Sequence, residues 1–457
     1  MTDTQRSPAT AEGLFSRPHA GATTGFAVVM FLTGLAALAV VPTLPTAARD
    51  LGGVPLYPLV AGCFVSASLL GGVVGGHWAD RAGAHRPLAT GMLLAVVTLL
   101  VSGTAESIWW LAAGRFLDGL AGGMVAVSVN TAIGQSFPER LRPRALALMS
   151  ACWVVPSLVG PPLAGVVTEL WTWRAVFLGL AALTLVPALA VAFLLRTRPP
   201  AGTLRAGDGT RRPPLLIAAA VSAGAAAGQY GISAWDTRHL VFAVAGIALL
   251  VVFAPRLLPP GTWRAVRGLP ATVLLCGAGS GTFFTLEALV PLMLVAERDA
   301  APVLIGLLFT GAAILWAVAS WVQGRLLEQV PRHRLVAAGA VVMVAAVAVA
   351  VIGALPAAPA PVAGSSMLIA AAGMGMLAPS LTVLSLAHSP GRQGYASSAM
   401  QINQNLGQVM VLGAAAAVSN LSLALGAAAP AGYAAAFALL LVPCAGAAVL
   451  AARTRNA

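Results

Sequence analysis

Lysine is absent. All 26 basic residues among the 457 are arginine, set against 14 acidic residues and six histidines. A nucleotide-binding P-loop needs a lysine to reach the phosphates, and a Schiff base to retinal or pyridoxal needs one too, so both are excluded. Charge of either sign is scarce, 9% of the chain, where soluble domains carry about 25%. Cysteine is limited to Cys63, Cys152, Cys276 and Cys444, each inside an apolar run and far from the others. Such cysteines act as small buried hydrophobes, not as a disulfide or metal framework. The first 23 residues lack the apolar core of a cleaved signal. The net charge of +12 comes from arginines scattered through short loops, not from the basic face that nucleic acid requires. The G-x-G spacing of GAGSG at 277–281 lies within an apolar helix, where small residues serve close packing. Neither a cofactor, a metal nor a nucleic-acid partner is expected.

What fills the chain is hydrocarbon: 59% hydrophobic residues and a mean hydropathy of +0.88. Apolar stretches of membrane-spanning length recur from end to end and leave no room for a soluble catalytic domain, so no enzyme is expected. Bounded by Arg, Pro and Gly, the runs predict helices near 24–43, 55–77, 87–104, 107–134, 145–168, 174–195, 214–232, 238–255, 270–295, 303–325, 334–355, 361–387, 393–424 and 431–452. The seventh and eighth are the weakest, richer in Ala and Gly than in Leu and Ile; without them the count falls from fourteen to twelve with the same parity. With the N-terminus in the cytoplasm, 21 arginines fall inside and four (Arg49, Arg174, Arg238, Arg298) outside, leaving Arg115 within a span. That bias puts both termini in the cytoplasm of a multi-pass cell-membrane protein. Trp109, Trp110, Trp171, Trp173 and Trp235 then cluster at the outer boundary as an interfacial belt.

Sliding the chain by 248 residues puts Gly76 on Gly324, Asp80 on Glu328, His85 on His333, Arg86 on Arg334 and Arg144 on Arg392. A common register in two halves is the signature of a duplicated transporter bundle. The expected fold is therefore all-α and membrane-integral. A cytoplasmic tail (1–23) leads into a six-helix bundle (24–195). A linker (196–269) carries two inserted helices, near 214–232 and 238–255. A second six-helix bundle (270–452) and a short cytoplasmic tail (453–457) follow.

GGHWADRAGAHRPL at 75–88 resembles the cytoplasmic loop motif of the major facilitator superfamily through Gly76, Trp78, Ala79, Asp80, Arg81, Gly83 and Arg86, with Ala84 where a basic residue is usual. GRFLDGLAGG at 114–123 is similar to that family's fourth-helix motif. VGPPLAG at 159–165 resembles the antiporter motif, through Gly160, Pro161 and Gly165, and WTWRAVF at 171–177 is also familiar. The resemblance implies two bundles rocking around a central site. It also implies that Asp80 gates the cytoplasmic side against the start of the eleventh helix of the family's core (Gln393, Gly394), and, through the GPP motif, antiport and hence export. Gly76 and Gly83 are expected to permit the sharp turn of the loop. In the 14-helix drug:proton antiporter branch the first helix carries an Asp; LAALAVVPTLP (35–45) has Ala36 in its place.

Three charges lie within spans: Arg115, Asp118 and Glu287. Each costs about 2.5–3.5 kcal/mol at a helix centre on insertion scales, so each is expected to face an interior cavity. Arg115 and Asp118 share a face by i,i+3 spacing. They read either as a neutral structural pair or as a proton site, Asp118, tuned by Arg115. Glu287 suits proton exchange or recognition of a cation, or else a place near the outer headgroups with access to water. Gln401, Gln404, Asn405 and Gln408 fall within one arc of a helix and read as cavity lining or as interhelical glue. Trp153, Trp316 and Phe284 are apolar candidates for the same cavity, with core packing the alternative for both tryptophans. The expected function is a monomeric secondary active transporter. The leading form is a proton-coupled antiporter exporting amphipathic or cationic small molecules. The alternatives are a transporter of one polar metabolite and, from another class, a non-transporting membrane sensor.

Overall fold

The computed structural model describes residues 14–138, 152–197, 215–234, 236–325, 329–389 and 393–455, with Leu141, Ala145, Leu148 and Met149 between the first two stretches. Arg144, Trp235, Glu328 and Arg392 lie outside the described residues, as do the side chains of Asp80, Gln393 and Gly394. Among the described residues twelve helical segments are long and apolar enough to cross a bilayer. Two shorter apolar helices, Val154–Leu170 and Leu215–Gly231, bring the count to fourteen.

The first span is longer than its hydropathy suggests. Helix α1 (Arg17–Val40) passes through one 3₁₀ turn, Val41–Thr43, into α2 (Leu44–Asp50). Pro42 and Pro45 do not end it, because each stands in the first turn of its element, where the missing N–H has no helical partner to lose. The last span shows the converse. Pro443 breaks it into α15 (Ala429–Leu439) and α16 (Leu441–Leu450). Between these lie α3 (Tyr57–Ala82), α4 (His85–Gly103), α5 (Ile108–Ser136), α6 (Val154–Leu170) and α7 (Trp173–Thr197) in the first half. The inserted pair is α8 (Leu215–Gly231) and α9 (Thr237–Phe253). The second half holds α10 (Leu269–Arg298), α11 (Pro302–Arg325), α12 (Arg332–Ala354), α13 (Ala360–Ala387) and α14 (Gln393–Ala424). The proximal end of the molecule holds Gly83 and Thr454, and the distal end holds Asp50 and Asp299.

With lipid around the helices, association rests on close packing, which small residues permit. In the first half α3 lies along α5: a Cβ on Gly119 would sit 2.1 Å from Phe64 O, and one on Gly123 2.1 Å from Ser68 O. In the second half α10 lies along α14, where a Cβ on Gly407 would sit 2.0 Å from Gly277 O. The halves meet where α6 crosses α11, where α3 meets α14, and where α2 meets α10. The glycines of the antiporter motif divide between two neighbours. Gly160 faces Leu35 and Ala39 of α1, while Gly165 backs onto Pro302 and Val303 of α11, which returns Gly306 against Pro161 O.

Two sequence expectations change. Gly76 is not part of the loop turn: α3 continues to Ala82, and only Gly83, at φ +81°, makes the turn. Its N–H caps Ala79 O at 3.0 Å. Helix propagation stops at the first residue able to take that backbone conformation. Trp173 is not part of an interfacial belt. It is 3% exposed, and its indole N–H donates to Asp50 Oδ2 at 3.0 Å. Arg174 reaches the same oxygen at 3.1 Å and donates to Ala105 O at 2.9 Å. Trp109, Trp110 and Trp171 are exposed at the distal end.

The inserted pair is not merely appended. α9 is the outer member, with 11% of its span buried. α8 is wedged between the halves: Ser222 donates to Ser66 O of α3 at 2.7 Å, and the Gln229 amide donates to Val409 O of α14 at 2.8 Å. Asn420 of α14 returns a bond to Ile232 O at 2.8 Å.

Candidate central cavity

The chain places a cavity of about 170 Å³ between the halves. Ala37, Val41 and Leu44 line it from the first span, Tyr57, Ala61, Phe64 and Val65 from α3, and Arg115 from α5. Phe284, Glu287 and Ala288 of α10 and Gln408 of α14 complete it. Of the three intramembrane charges, Glu287 and Arg115 therefore share this space, contributed by opposite halves. Among the described residues Glu287 makes no ion pair.

Asp118 lies elsewhere. It lines a separate void of about 40 Å³ within the first half, with Thr33, Ala36, Ala37, Phe64 and Thr184 among its neighbours. Ala36, where the 14-helix antiporter branch carries Asp, faces the same void. Phe64 and Ala37 belong to both linings and form the partition. Across it, Arg115 Nη1 donates to Asp118 Oδ2, and Thr98 Oγ1 lies 3.5 Å from Asp118 Oδ1. The Arg115 guanidinium sits 4.6 Å over the Phe64 ring, a cation–π contact strengthened where water is absent. Arg115 is 2% exposed, and its Nε has no hydrogen-bond partner. The pair is neutral as a unit, which leaves Glu287 as the carboxylate not offset by a partner.

The other residues singled out from the sequence separate into groups. Phe284 and Gln408 line the cavity. Gln401 is exposed and donates to Asn405 Oδ1 at 3.1 Å, one turn along the same helix. Gln404 and Asn405 are partly buried, outside the cavity lining. Trp316 packs edge-on against Phe283, ring centres 5.1 Å apart, and Trp153 lies against Gly34 of α1; neither lines the cavity. Arg81 and Arg86 are exposed at the proximal end.

Three polar or aromatic residues were not legible as site residues. Tyr57 and Phe64 wall the cavity; an aromatic inside an apolar run carries no mark of the face it occupies. Asn403, 3% exposed, donates to Val273 O at 2.6 Å and ties α14 to α10. Its spacing of one and two residues from Gln404 and Asn405 was the available signal, since helix neighbours at those offsets face apart.

At the distal end the halves are tied by charge. Arg49 of α2 donates to Val295 O at 2.9 Å and pairs with Asp299. The backbone N–H of Val303 lies 3.4 Å from Glu169 Oε2, and, away from this end, at mid-helix, Thr310 of α11 donates to Leu158 O of α6 at 3.1 Å.

The profile of the family described as Major Facilitator Superfamily matches residues 26–412. A probable multidrug-efflux transporter of Mycobacterium tuberculosis is 27% identical over 394 residues, covering 82% of this chain and 83% of its own. Tetracycline resistance protein class E of Escherichia coli is 27% identical over 172 residues, covering 37% of this chain and 42% of its own. Among solved structures, a POT family transporter in complex with 5-aminolevulinic acid superposes with a TM-score of 0.68 at 12% identity. It covers 94% of this chain and 95% of its own, a likeness of fold.

Proposed function

Because the chain belongs to the Major Facilitator Superfamily, we propose that this transporter is a proton-coupled antiporter that exports amphipathic or cationic small molecules across the cell membrane by alternating access. The observation that carries the reading is Glu287: a carboxylate without an ion-pair partner among the described residues, inside a cavity built by both halves. A buried carboxylate is stabilised either by a proton or by a cation. Binding of the two is therefore mutually exclusive, and exclusive binding at one site that faces each side in turn is sufficient for exchange. Tyr57, Phe64 and Phe284 supply aromatic surface for an apolar body, and Gln408 an amide for orientation.

On the arginine bias of the loops, the proximal end faces the cytoplasm. The distal end is then the outer one, closed by Arg49, Asp299 and Val295. A cavity of about 170 Å³ is smaller than the roughly 300 Å³ at which small-molecule pockets begin, so substrate enters only when the halves separate. The gating roles of Asp80, Arg81, Gly83 and Arg86, and of Gly160, Pro161 and Gly165, belong to the same proposal: the loop at the proximal end and the α6–α11 crossing are where the halves must part. The relatives named for multidrug efflux and tetracycline resistance support the direction and the breadth of substrate. Of the four α14 amides singled out from the sequence, Gln401, Gln404 and Asn405 lie outside the cavity lining, which weighs against recognition of one polar metabolite.

The test uses proteoliposomes under an imposed pH gradient with the cation ethidium as substrate. Ethidium movement coupled to counterflow of protons in the wild type, lost in Glu287→Gln, is expected. Full coupling in Glu287→Gln removes the carboxylate from the mechanism, and uptake without proton movement removes antiport.

A further inference from the structure

At the proximal end the chain leaves the apolar outer face of α9 and turns into α10 through residues 254–268. Val251 and Val252, on the last turns of α9, are 66% and 49% exposed. Arg256 follows at once; its Nη1 donates to Val252 O at 2.7 Å, and its guanidinium lies 5.1 Å over the Phe253 ring. An exposed cation directly after exposed aliphatic residues marks the edge of the hydrocarbon on this flank. Just beyond it Trp263 and Val266 are exposed, each followed by an exposed arginine, Arg264 and Arg267. Side chains paired in this way suit the boundary between acyl chains and headgroups.

The turn that presents them is a built one. Gly261, Ala265 and Gly268 have φ of +85°, +48° and +90°, and only the glycines take such values freely. Ala265 and Thr262 are buried. The backbone N–H of Ala265 donates to Thr262 O at 3.0 Å, and that of Val266 to Gly261 O at 3.2 Å. A clamp from the far end of the sequence completes the turn. Arg453 Nη1 donates to Arg264 O at 3.3 Å and to Ala265 O at 3.2 Å, while Arg453 O accepts from the N–H of Gly268 at 3.0 Å. The clamp is anchored in turn, with Thr454 O 2.9 Å from His388 Nε2. A third cation is thereby brought to Arg264 and Arg267. Among the described residues none of the three makes an ion pair. Like charges gathered on one turn repel, and the anionic lipids of the adjoining leaflet carry the charge that offsets them.

We propose that the turn 261–268, clamped by Arg453, is a docking site for an anionic phospholipid of the leaflet at the proximal end, the cytoplasmic one on the arginine bias. Arg264 and Arg267 take the headgroup phosphate, and Trp263 and Val266 lie along the acyl chains. Arginine fits this partner, because its planar fork bonds two phosphate oxygens at once. The turn runs directly into α10, the helix of Glu287, so the bound lipid fixes the depth at which that helix begins. The site depends on neither proton coupling nor export.

The experiment uses the purified full-length protein in phosphatidylcholine nanodiscs. Small fractions of dibrominated lipid are added, as phosphatidylglycerol or as phosphatidylcholine, and quenching of Trp263 is obtained by difference from Trp263→Phe. One arginine near the surface is worth about fivefold in preference for anionic lipid. Half-quenching by the brominated phosphatidylglycerol is therefore expected at roughly a twentieth of the fraction that the phosphatidylcholine requires. Arg264→Gln and Arg267→Gln should each lower the preference about fivefold, and the double variant should abolish it; both side chains are exposed, so no packing is disturbed. Arg325→Gln combined with Arg334→Gln, at exposed positions of the same end outside the turn, should leave the preference intact. Equal quenching by the two lipids in the wild type overturns the proposal. An equal loss in the Arg325/Arg334 double variant overturns it as well, since the preference would then belong to the basic face at large. Release of the quenching by millimolar glycerol phosphate would make the ligand a soluble anion and overturn it too. Ethidium exchange measured alongside tests the export reading separately, and either result can stand without the other.

Discussion

Asp118 and Glu287 are both carboxylates inside the membrane, and their neighbours give mutation opposite consequences. Asp118 is bonded to a buried arginine, so Asp118→Asn leaves the Arg115 charge uncompensated. Breaking such a pair costs about 3–5 kcal/mol, and a clearly lower melting temperature in detergent is expected. Glu287 has no ion-pair partner among the described residues. Glu287→Gln therefore removes a desolvation cost without orphaning a partner, and its melting temperature should equal or exceed that of the wild type while transport is lost. The same melting curve for both variants would contradict this division of roles. All three charges could be read from the sequence, because a charge inside an apolar run has few places to go. That Asp118 and Glu287 occupy different spaces could not, since the Phe64 partition comes from another helix. Gln229 was equally hidden, as its role lies in the α14 carbonyl it reaches.

At the scale of single helices, hydropathy located the spans well; packing did not follow from it. The Ala/Gly-rich composition of α8 reads as a marginal, peripheral helix, yet small residues are what admit it between two neighbours. A Cβ on Gly62 of α3 would sit 3.1 Å from Gln229 Nε2 and one on Gly413 of α14 3.5 Å from the same atom, while against α9 a Cβ on Gly231 would sit 2.2 Å from Ala243 N. The crossing of α6 and α11 depends on the same property. A Cβ on Gly306 would lie 2.4 Å from Pro161 O, backbone that cannot rotate away. Gly306→Val should therefore leave the protein inserted and exposed to labelling at both ends, while substrate flux falls at least tenfold; unchanged flux would show that this crossing does not move. The inserted hairpin also has a pH response at its distal turn. Asp236 caps α9 by accepting from the backbone N–H of His239 at 2.9 Å, and that bond, with the His239 side chain, holds its carboxyl below the ordinary 3.8. The cap is thus fully present above pH 4 and lost as pH falls through the lowered value. Amide exchange at His239 should be slow at pH 5 and should accelerate, relative to its intrinsic rate, only below pH 4; acceleration already at pH 5–6 would rule out the Asp236 carboxylate as its cause.

For the whole molecule, the 248-residue register in the sequence anticipated two halves, and the family profile and the fold of solved transporters agree with that architecture. The contacts that close one end were not anticipated, because Arg49 and Asp299 sit in different halves and between the spans read from the sequence, where charge is expected anyway. If the halves rock as proposed, the Arg49–Asp299 contact forms and breaks once per cycle. A cysteine pair at these positions should then cross-link under mild oxidation, arrest exchange, and release it on reduction; cross-linking with exchange intact would mean that the distal end never opens. The wedged position of α8 carries a geometric consequence. On its flank the halves are stapled through Ser222 to α3 and through Gln229 and Asn420 to α14, whereas on the opposite flank the sole side-chain bond described between α6 and α11 from mid-helix is that of Thr310. With one seam stapled, each rocking step, toward either side, leaves that seam nearly fixed and displaces the unstapled edge farthest. Spin labels across the α6–α11 seam will report wide changes in separation, and the same labels beside α8 hardly any.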